Sequence, residues 1–397
     1  MHLPVLLFLS FGHLITDIHQ GVVPTLMLYL RDSFNLSYAQ VGLIILMSNL
    51  SSSVIQPLFG LYSDRSSQPW LMPLGIALAA LGVSLSGVMP HFYLVVMIVF
   101  VSGLGIAAFH PEGSKTAHFA GGDRRASAMS IFSVGGNFGF ALGPVLGVLF
   151  LGSWGQKGTL AFLVPGLATA LAFYLLLPKI AKTTALACKN WRIKKEEAQA
   201  RSSTGKKAWS WGLILLITLV IFRSWIQYGL ISYLPFYYMD CLGGEKQIAA
   251  ILVSIFQVSG AVGTLIGGPL ADRFGAKRYI CVSIGLMFPL LYLLLNTTGP
   301  AVLVLTALAG MVLISNFSPA VVMGQQYLPH HIGLASGLMF GFAVGMGGLG
   351  VPVLGALADR FAVDMVLKVL SFLPLVILLM ALLLPPPPEL TARAKAN

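Results

Sequence analysis

Charge is what this sequence has least of. Among 397 residues there are 24 Lys and Arg and 13 Asp and Glu, so 9% of the chain is charged while 57% is hydrophobic. An ordinary soluble protein carries roughly 25% charged residues. Mean hydropathy is +0.86. So thin a polar shell excludes a soluble globule, and the apolar abundance excludes a disordered chain; lipid must be the main solvent. Cysteine is scarce as well. Cys188, Cys241 and Cys281 are odd in number and far apart, which provides neither a disulfide framework nor a zinc spacing. There is no HExxH, no GxSxG and no clustered nucleophile site, which argues against a membrane enzyme. A filter-like loop is missing too, which argues against a channel. The net charge of +11 does not point to nucleic acid, because the basic residues sit in short stretches between apolar runs, the pattern of topogenic charge. No cofactor, metal or nucleic-acid partner is expected.

Twelve apolar segments long enough for a bilayer core of about 30 Å can be counted. They fall near 3–31, 38–62, 71–90, 92–118, 126–151 and 158–178, then 209–239, 246–271, 279–297, 299–327, 333–358 and 363–385. The first lacks a basic leader and carries Asp17 in its middle, so it reads as a retained span rather than a signal peptide. The expected organisation is a six-helix half over 1–178, a basic linker over 179–208 and a second six-helix half over 209–397. Placing the linker on the cytoplasmic side puts 18 Lys and Arg on that side and 5 on the other, with Arg223 alone inside a span. The positive-inside rule then makes both termini cytoplasmic.

The halves resemble each other at a fixed offset of 208. Gly60 and Asp64 of GLYSDR fall over Gly268 and Asp272 of GGPLADR. GPVLG at 143–147 falls over VPVLG at 351–355, His110-Pro111 over Ser318-Pro319, and Gly21 over Gly229. Six spans per half is an even number, so the copies share one orientation and form parallel repeats about an axis along the membrane normal.

The run from Gly268 through Asp272, Arg273 and Gly275 to Lys277 and Arg278 resembles the signature loop of the major facilitator superfamily, and it lies between the second and third spans of its half. The first copy, Gly60 to Arg65, loses the pattern after Asp64-Arg65. Gly139-x3-Gly143-Pro144-x2-Gly147 is similar to the fifth-span motif of antiporters in that superfamily, with Val148 in place of the last glycine. FHPEGSK at 109–115, SVGGNFG at 133–139 and GFAVGMGGLG at 341–350 resemble the fosmidomycin-resistance branch. The resemblance covers nearly the whole chain. It implies an all-α fold of twelve transmembrane helices in a bacterial inner (plasma) membrane, working as a monomeric, proton-driven exporter of drugs or other small molecules. It also implies that Gly60, Asp64, Arg65, Gly268, Asp272 and Arg273 form a conformational latch. One departure stands out. Drug antiporters often carry an arginine just before a Gly-x-Gly in the fourth span, but here Gly103-Leu-Gly105 follows Val99, Phe100, Val101 and Ser102. Any coupling charge must lie elsewhere.

A charge at the bilayer centre costs about 2.5–3.5 kcal/mol on insertion scales, so intramembrane charge marks function or pairing. In the first span His13 and Asp17 are four residues apart on one face, and Gln20 continues that stripe. His19 points the other way and reads as structural. The fourth span carries His110 and Glu112, with Lys115 nearer its end, and the seventh carries Arg223, Gln227 and Tyr228. The offset maps Asp17 to position 225, two residues from Arg223, which puts the two charges at similar depth and makes mutual neutralisation possible. Asp17, His13, His110 and Glu112 are the candidates for proton coupling. Arg223, Gln20, Gln227, Tyr228, Asn137 and Asn316 are the candidates for substrate binding. The function expected is proton-coupled antiport by rocker-switch alternating access; the alternative is a uniporter or importer of a small organic anion on the same fold.

Overall fold

The computed structural model describes residues 1–36, 38–65, 68–201 and 206–386, and every regular element among them is a helix. Ten stretches are long and apolar enough to cross a membrane. One of these, Arg125–Trp191, holds two helices joined by the 3-10 segment Gly155–Phe162. The apolar helix Leu71–Ser86 is shorter, at 16 residues. Counting both, the described residues contain the twelve spans expected.

The first span is Leu3–Phe34. The second runs from Tyr38–Asn49 through a π-helical turn, Leu50–Val54, into Gln56–Arg65. The third is Leu71–Ser86, the fourth Phe92–Gly121, the fifth Arg125–Trp154 and the sixth Leu163–Arg201. The seventh is Lys206–Asp240, the eighth Lys246–Phe274 and the ninth Ala276–Leu295. The tenth is broken at Asn316 into Ala301–Ser315 and Phe317–Tyr327. The eleventh passes from Ile332–Ser336 through π-helical Gly337–Ala343 and Val344–Gly348 to Gly350–Phe361, and the twelfth is Val363–Leu383. Only a helix satisfies its own backbone without water, which is why apolar runs of this length fold this way. Pro24, Pro111, Pro144, Pro235, Pro269 and Pro374 sit inside helices, as neighbouring spans allow in a bundle.

The sixth helix does not stop where the apolar run ends. It continues to Arg201 through the first part of the expected 179–208 linker. After Pro178 the sequence has no Gly or Pro up to that point and is rich in Ala, Lys and Glu, which are strong helix formers. Residues 202–205 of that linker lie outside the described residues, as do Arg393 and Lys395 of the tail.

Two compact units emerge, and neither is simply one half of the sequence. The first comprises Met1–Asp123, Ile131–Arg201 and Pro329–Phe342. It holds the first four spans, most of the fifth, the sixth and the start of the eleventh. The second comprises 124–130, 206–328 and 343–386 of the described residues. In the first unit Phe109, Phe132 and Phe173 are fully buried, and the fifth span lies along the first with glycines at the contact: a side chain at Gly135, Gly139 or Gly143 would run into the backbone of Ser10, Leu14 or Gly21. In the second unit Gly263 and Gly310 play the same part between the eighth and tenth spans, against Met311 and Phe256.

Candidate functional site

The centre of the first unit is a polar cluster inside an apolar shell. His13 and Asp17 lie one turn apart on the first span, and His110 reaches them from the fourth. His110 Nε2 is 2.9 Å from Asp17 Oδ1, and His13 Nε2 is 3.2 Å from Asp17 Oδ2. His13 Nδ1 donates to the Phe132 carbonyl of the fifth span at 2.8 Å. The three residues are buried, at 2%, 9% and 6% exposure in chain order. Phe132 stacks on His13, and Phe340 of the eleventh span stacks on His110, with ring centroids 4.2 and 6.0 Å apart. Desolvation by these rings strengthens each polar contact and makes an unmet one costly. The ligand-type atoms of the three residues lie within 4.8 Å of one another, close enough for a cation, and both carboxylate oxygens of Asp17 face a histidine nitrogen. Gln20 lies further along the same stripe and donates to Ser52 Oγ at 3.2 Å. His19, on the opposite face, bonds to the Ile15 carbonyl at 2.6 Å, a packing role.

Glu112 does not join this cluster. It belongs to a second buried group that the sequence grouped with the first because both lie on the fourth span. Ser63 Oγ donates to Glu112 Oε2, and Lys115 Nζ donates to the Ser63 carbonyl at 2.5 Å and to its hydroxyl at 3.1 Å. Lys115 Nζ is also 3.8 Å from Glu112 and 3.9 Å from Asp64. A cavity of about 280 Å³ opens beside this group, lined by Glu112, Lys115, Thr116, Phe119, Thr184 and Cys188. Ser63 was missed from sequence, since a lone serine inside GLYSDR carries no signal of its own.

Arg223 anchors the second unit. It is 3% exposed. Its Nη1 donates to Gln227 Oε1 at 2.7 Å, its Nη2 and Nε donate to the Leu313 carbonyl at 3.1 and 3.3 Å, and its guanidinium lies 5.3 Å from the Phe317 ring. All of these partners are neutral. Asn316, at the break in the tenth span, is buried and its Nδ2 has no hydrogen-bond partner. Tyr228 and Asn137 are half-buried and engaged. Within the first unit Asp17 contacts His13 and His110, and within the second the Arg223 guanidinium is held by Gln227 and the Leu313 carbonyl.

The two signature aspartates cap helices. Asp64 accepts from the backbone N–H groups of Gly333 and Leu334, both at 2.8 Å. Asp272 accepts from those of Ala126 and Ser127, both at 2.9 Å, and from Ser127 Oγ at 2.5 Å. A side chain at Gly60 would collide with the Gly333 backbone, and one at Gly268 with Ser130 and the Ala126 carbonyl, so both glycines are needed for the approach that makes the caps. Arg65 and Arg273 are exposed and stand apart from these contacts.

The Major Facilitator Superfamily profile matches residues 9–349. The chain belongs to the Major Facilitator Superfamily. It is 36% identical to the fosmidomycin resistance protein of Escherichia coli over 373 residues, covering 92% of this chain and 89% of that one. It is 37% identical to the uncharacterized MFS-type transporter YfnC of Bacillus subtilis, covering 94% and 90%. Among solved structures, the E. coli fucose:proton symporter superposes with a TM-score of 0.69 at 16% identity, covering 97% and 99% of the two chains, which is a likeness of fold. As a superfamily member the protein is a multi-pass membrane transporter, not an enzyme.

Proposed function

We propose that this superfamily member is a proton-coupled antiporter that exports a small organic compound by alternating access, with phosphonate-type antibiotics such as fosmidomycin as the substrate expectation. The carrying observation is the buried Asp17 held between two histidines inside a membrane span. A carboxylate in that setting has a steep energetic reason to exchange a proton with the access state of the transporter. The name of the E. coli relative supports the substrate class. The Asp64 and Asp272 caps join spans from opposite sequence halves, and in this reading they latch one access state on the cytoplasmic side, with both termini also cytoplasmic, in the bacterial inner membrane.

Transport requires that substrate and proton bind the two access states with different affinity. In this scheme the first unit carries the proton and the second, through Arg223, Gln227 and Asn316, carries the substrate. The test is flux in proteoliposomes with and without an imposed pH gradient. Gradient-driven movement of fosmidomycin in antiport with protons is the expected result; movement indifferent to the gradient would remove proton coupling. The alternative of a uniporter or importer of a small organic anion is favoured by one observation, the neutral surroundings of Arg223, and the same assay separates it by direction and gradient dependence.

A further inference from the structure

The contacts of His13 determine where protons must be. A carbonyl oxygen only accepts, so the 2.8 Å contact with Phe132 places a proton on His13 Nδ1. His13 Nε2 then faces Asp17 Oδ2 at 3.2 Å. If the ring were neutral and the carboxylate ionised, two lone pairs would confront each other in a buried site, which costs free energy with nothing to offset it. One proton between the two atoms removes the conflict, whether ring or carboxyl carries it. The other carboxylate oxygen has its own donor. His110 Nε2 lies 2.9 Å from Asp17 Oδ1, while His110 Nδ1 is buried without a partner. A proton on Nε2 leaves Nδ1 as a bare acceptor, whereas the opposite tautomer would strand a buried N–H, the rarer defect.

Resting on the proton-coupling reading above, we infer that His13 and Asp17 share one proton in this structure and that its loss releases the first span from the fifth. His13 is the positioning residue that passes the protonation state of Asp17 to the fifth span. The step balances simply. The shared proton leaves, Asp17 stays behind as a carboxylate and His13 as a neutral ring protonated on Nδ1. The facing lone pairs then drive the ring away from Asp17, and the ring cannot turn without giving up the Phe132 carbonyl. The fifth span has no slack to absorb this locally, because its backbone at Gly136 lies directly against the pair: a Cβ there would strike His13 Nε2 and Asp17 Oδ2.

The surroundings leave few rivals for this role. From the fourth span, His110 faces the carboxylate, while Glu112 and Lys115 are engaged with Ser63 and Asp64. The second span contributes Ser52 to Gln20, with Asp64 occupied at its end as a cap. The third span has no ionisable residue, and the sixth has only the exposed Tyr174 over its apolar part. The fifth span presents the Phe132 carbonyl and Gly136, and the eleventh presents Phe340.

The test uses the full-length protein in detergent, labelled with 15N-histidine, with the His13 signals assigned by their loss in His13→Asn. His13 is expected to keep Nδ1 protonated throughout, with its Nε2 resonance moving when the proton shared with Asp17 is lost at raised pH. Over the same pH range, backbone hydrogen exchange over residues 131–137, corrected for intrinsic rate, is expected to increase. In His13→Asn the amide can still donate to the Phe132 carbonyl but has nothing in place of Nε2, so the pH-dependent change in exchange should be lost. A His13 ring protonated only on Nε2 overturns the inference from wild-type spectra alone, even if the variant fails to fold. Retention of the pH-dependent exchange in His13→Asn overturns it as well. The failure of the broader reading looks different: there, flux through the wild-type protein would be indifferent to the pH gradient.

Discussion

Asp64 and Asp272 stand one repeat apart, and each takes two backbone N–H groups from the first turn of a helix that belongs to the other half of the sequence. The geometry satisfies amide groups that a helix start leaves open and sets a negative charge at the positive end of the helix dipole. The two sites differ in their surroundings. Asp64 is 5% exposed and has Lys115 Nζ 3.9 Å away, whereas Asp272 is exposed and is supported by Ser127 Oγ.

Asp64→Asn and Asp272→Asn should therefore both weaken their junctions, but unequally. Each variant keeps one acceptor oxygen and loses the charge, and caps of this kind contribute about 0.5–2 kcal/mol. Both proteins should fold. Asp64→Asn should slow transport and lower the thermal midpoint more, because it also strips a counter-charge from a buried lysine. Turnover in proteoliposomes and unfolding in detergent measure the two effects. Wild-type turnover in both variants would remove the latch argument.

The glycines beneath the caps give a second contrast. A Cβ at position 60 meets the Gly333 carbonyl, which is backbone; at position 268 the nearest obstacle is the Ser130 hydroxyl, with the Ala126 carbonyl behind it. Overpacking of this sort costs about 1–3 kcal/mol. Gly60→Ala is expected at the upper end and Gly268→Ala lower, because a hydroxyl can rotate away. Gly268→Ala combined with Ser130→Ala should recover part of the loss. Equal midpoints for the two single variants would mean that the backbone at 333 yields as easily as a side chain.

Much of this was legible in the sequence, for identifiable reasons. Span number followed from apolar length alone, since lipid leaves the backbone no choice but helix. Asp64 and Asp272 were legible because a repeated motif doubles the signal, whereas the helix that each one caps was not, since it comes from the other half of the sequence. Asp17 and His13 were legible as a pair four residues apart. The contact of Asp17 with His110 was not: the repeat offset gives depth but not azimuth, so it pointed to Arg223 and said nothing of His110. The sharing of His13 with the Phe132 carbonyl could not have been read at all, because a backbone acceptor leaves no trace in residue identity. The helix from 179 to 201 was hidden by its polarity, although its composition favours it.

The group around Lys115 makes a stability prediction. Lys115 is 2% exposed and stands between Glu112 and Asp64. Breaking a buried ion pair from one side costs about 3–5 kcal/mol, because the remaining charge is left uncompensated. Lys115→Met should be strongly destabilising, and Lys115→Met with Glu112→Gln less so than the sum of the single changes. Thermal unfolding of the four proteins measures the coupling. Additive losses would show that Ser63, rather than Lys115, carries Glu112.

The last prediction concerns the charge in the second unit. Arg223 is buried, and its hydrogen bonds to Gln227 and the Leu313 carbonyl meet its donors without neutralising its charge. A buried cation with neutral partners is poorly compensated, and an anionic ligand supplies what is missing. Arg223→Lys keeps the charge but loses the planar fork, and its shorter reach abandons either Gln227 or Leu313. Hydrogen bonds to charged groups are each worth about 1.5–3 kcal/mol, so fosmidomycin should bind at least about tenfold more weakly. Arg223→Gln should lose the anion almost completely and be no less stable, since it removes a desolvated charge while keeping an amide donor. Calorimetric binding and thermal unfolding test both statements. Because Asp17 contacts histidines of its own unit and Arg223 donates to neutral groups of its own, Asp17→Asn and Arg223→Gln should be additive in stability to within about 0.5 kcal/mol. In the proposed antiport cycle, where proton and substrate exchange, they can still couple in transport. Undiminished fosmidomycin binding to Arg223→Gln would place the anion elsewhere, and a stability coupling well beyond that margin would mean that the two charges interact directly.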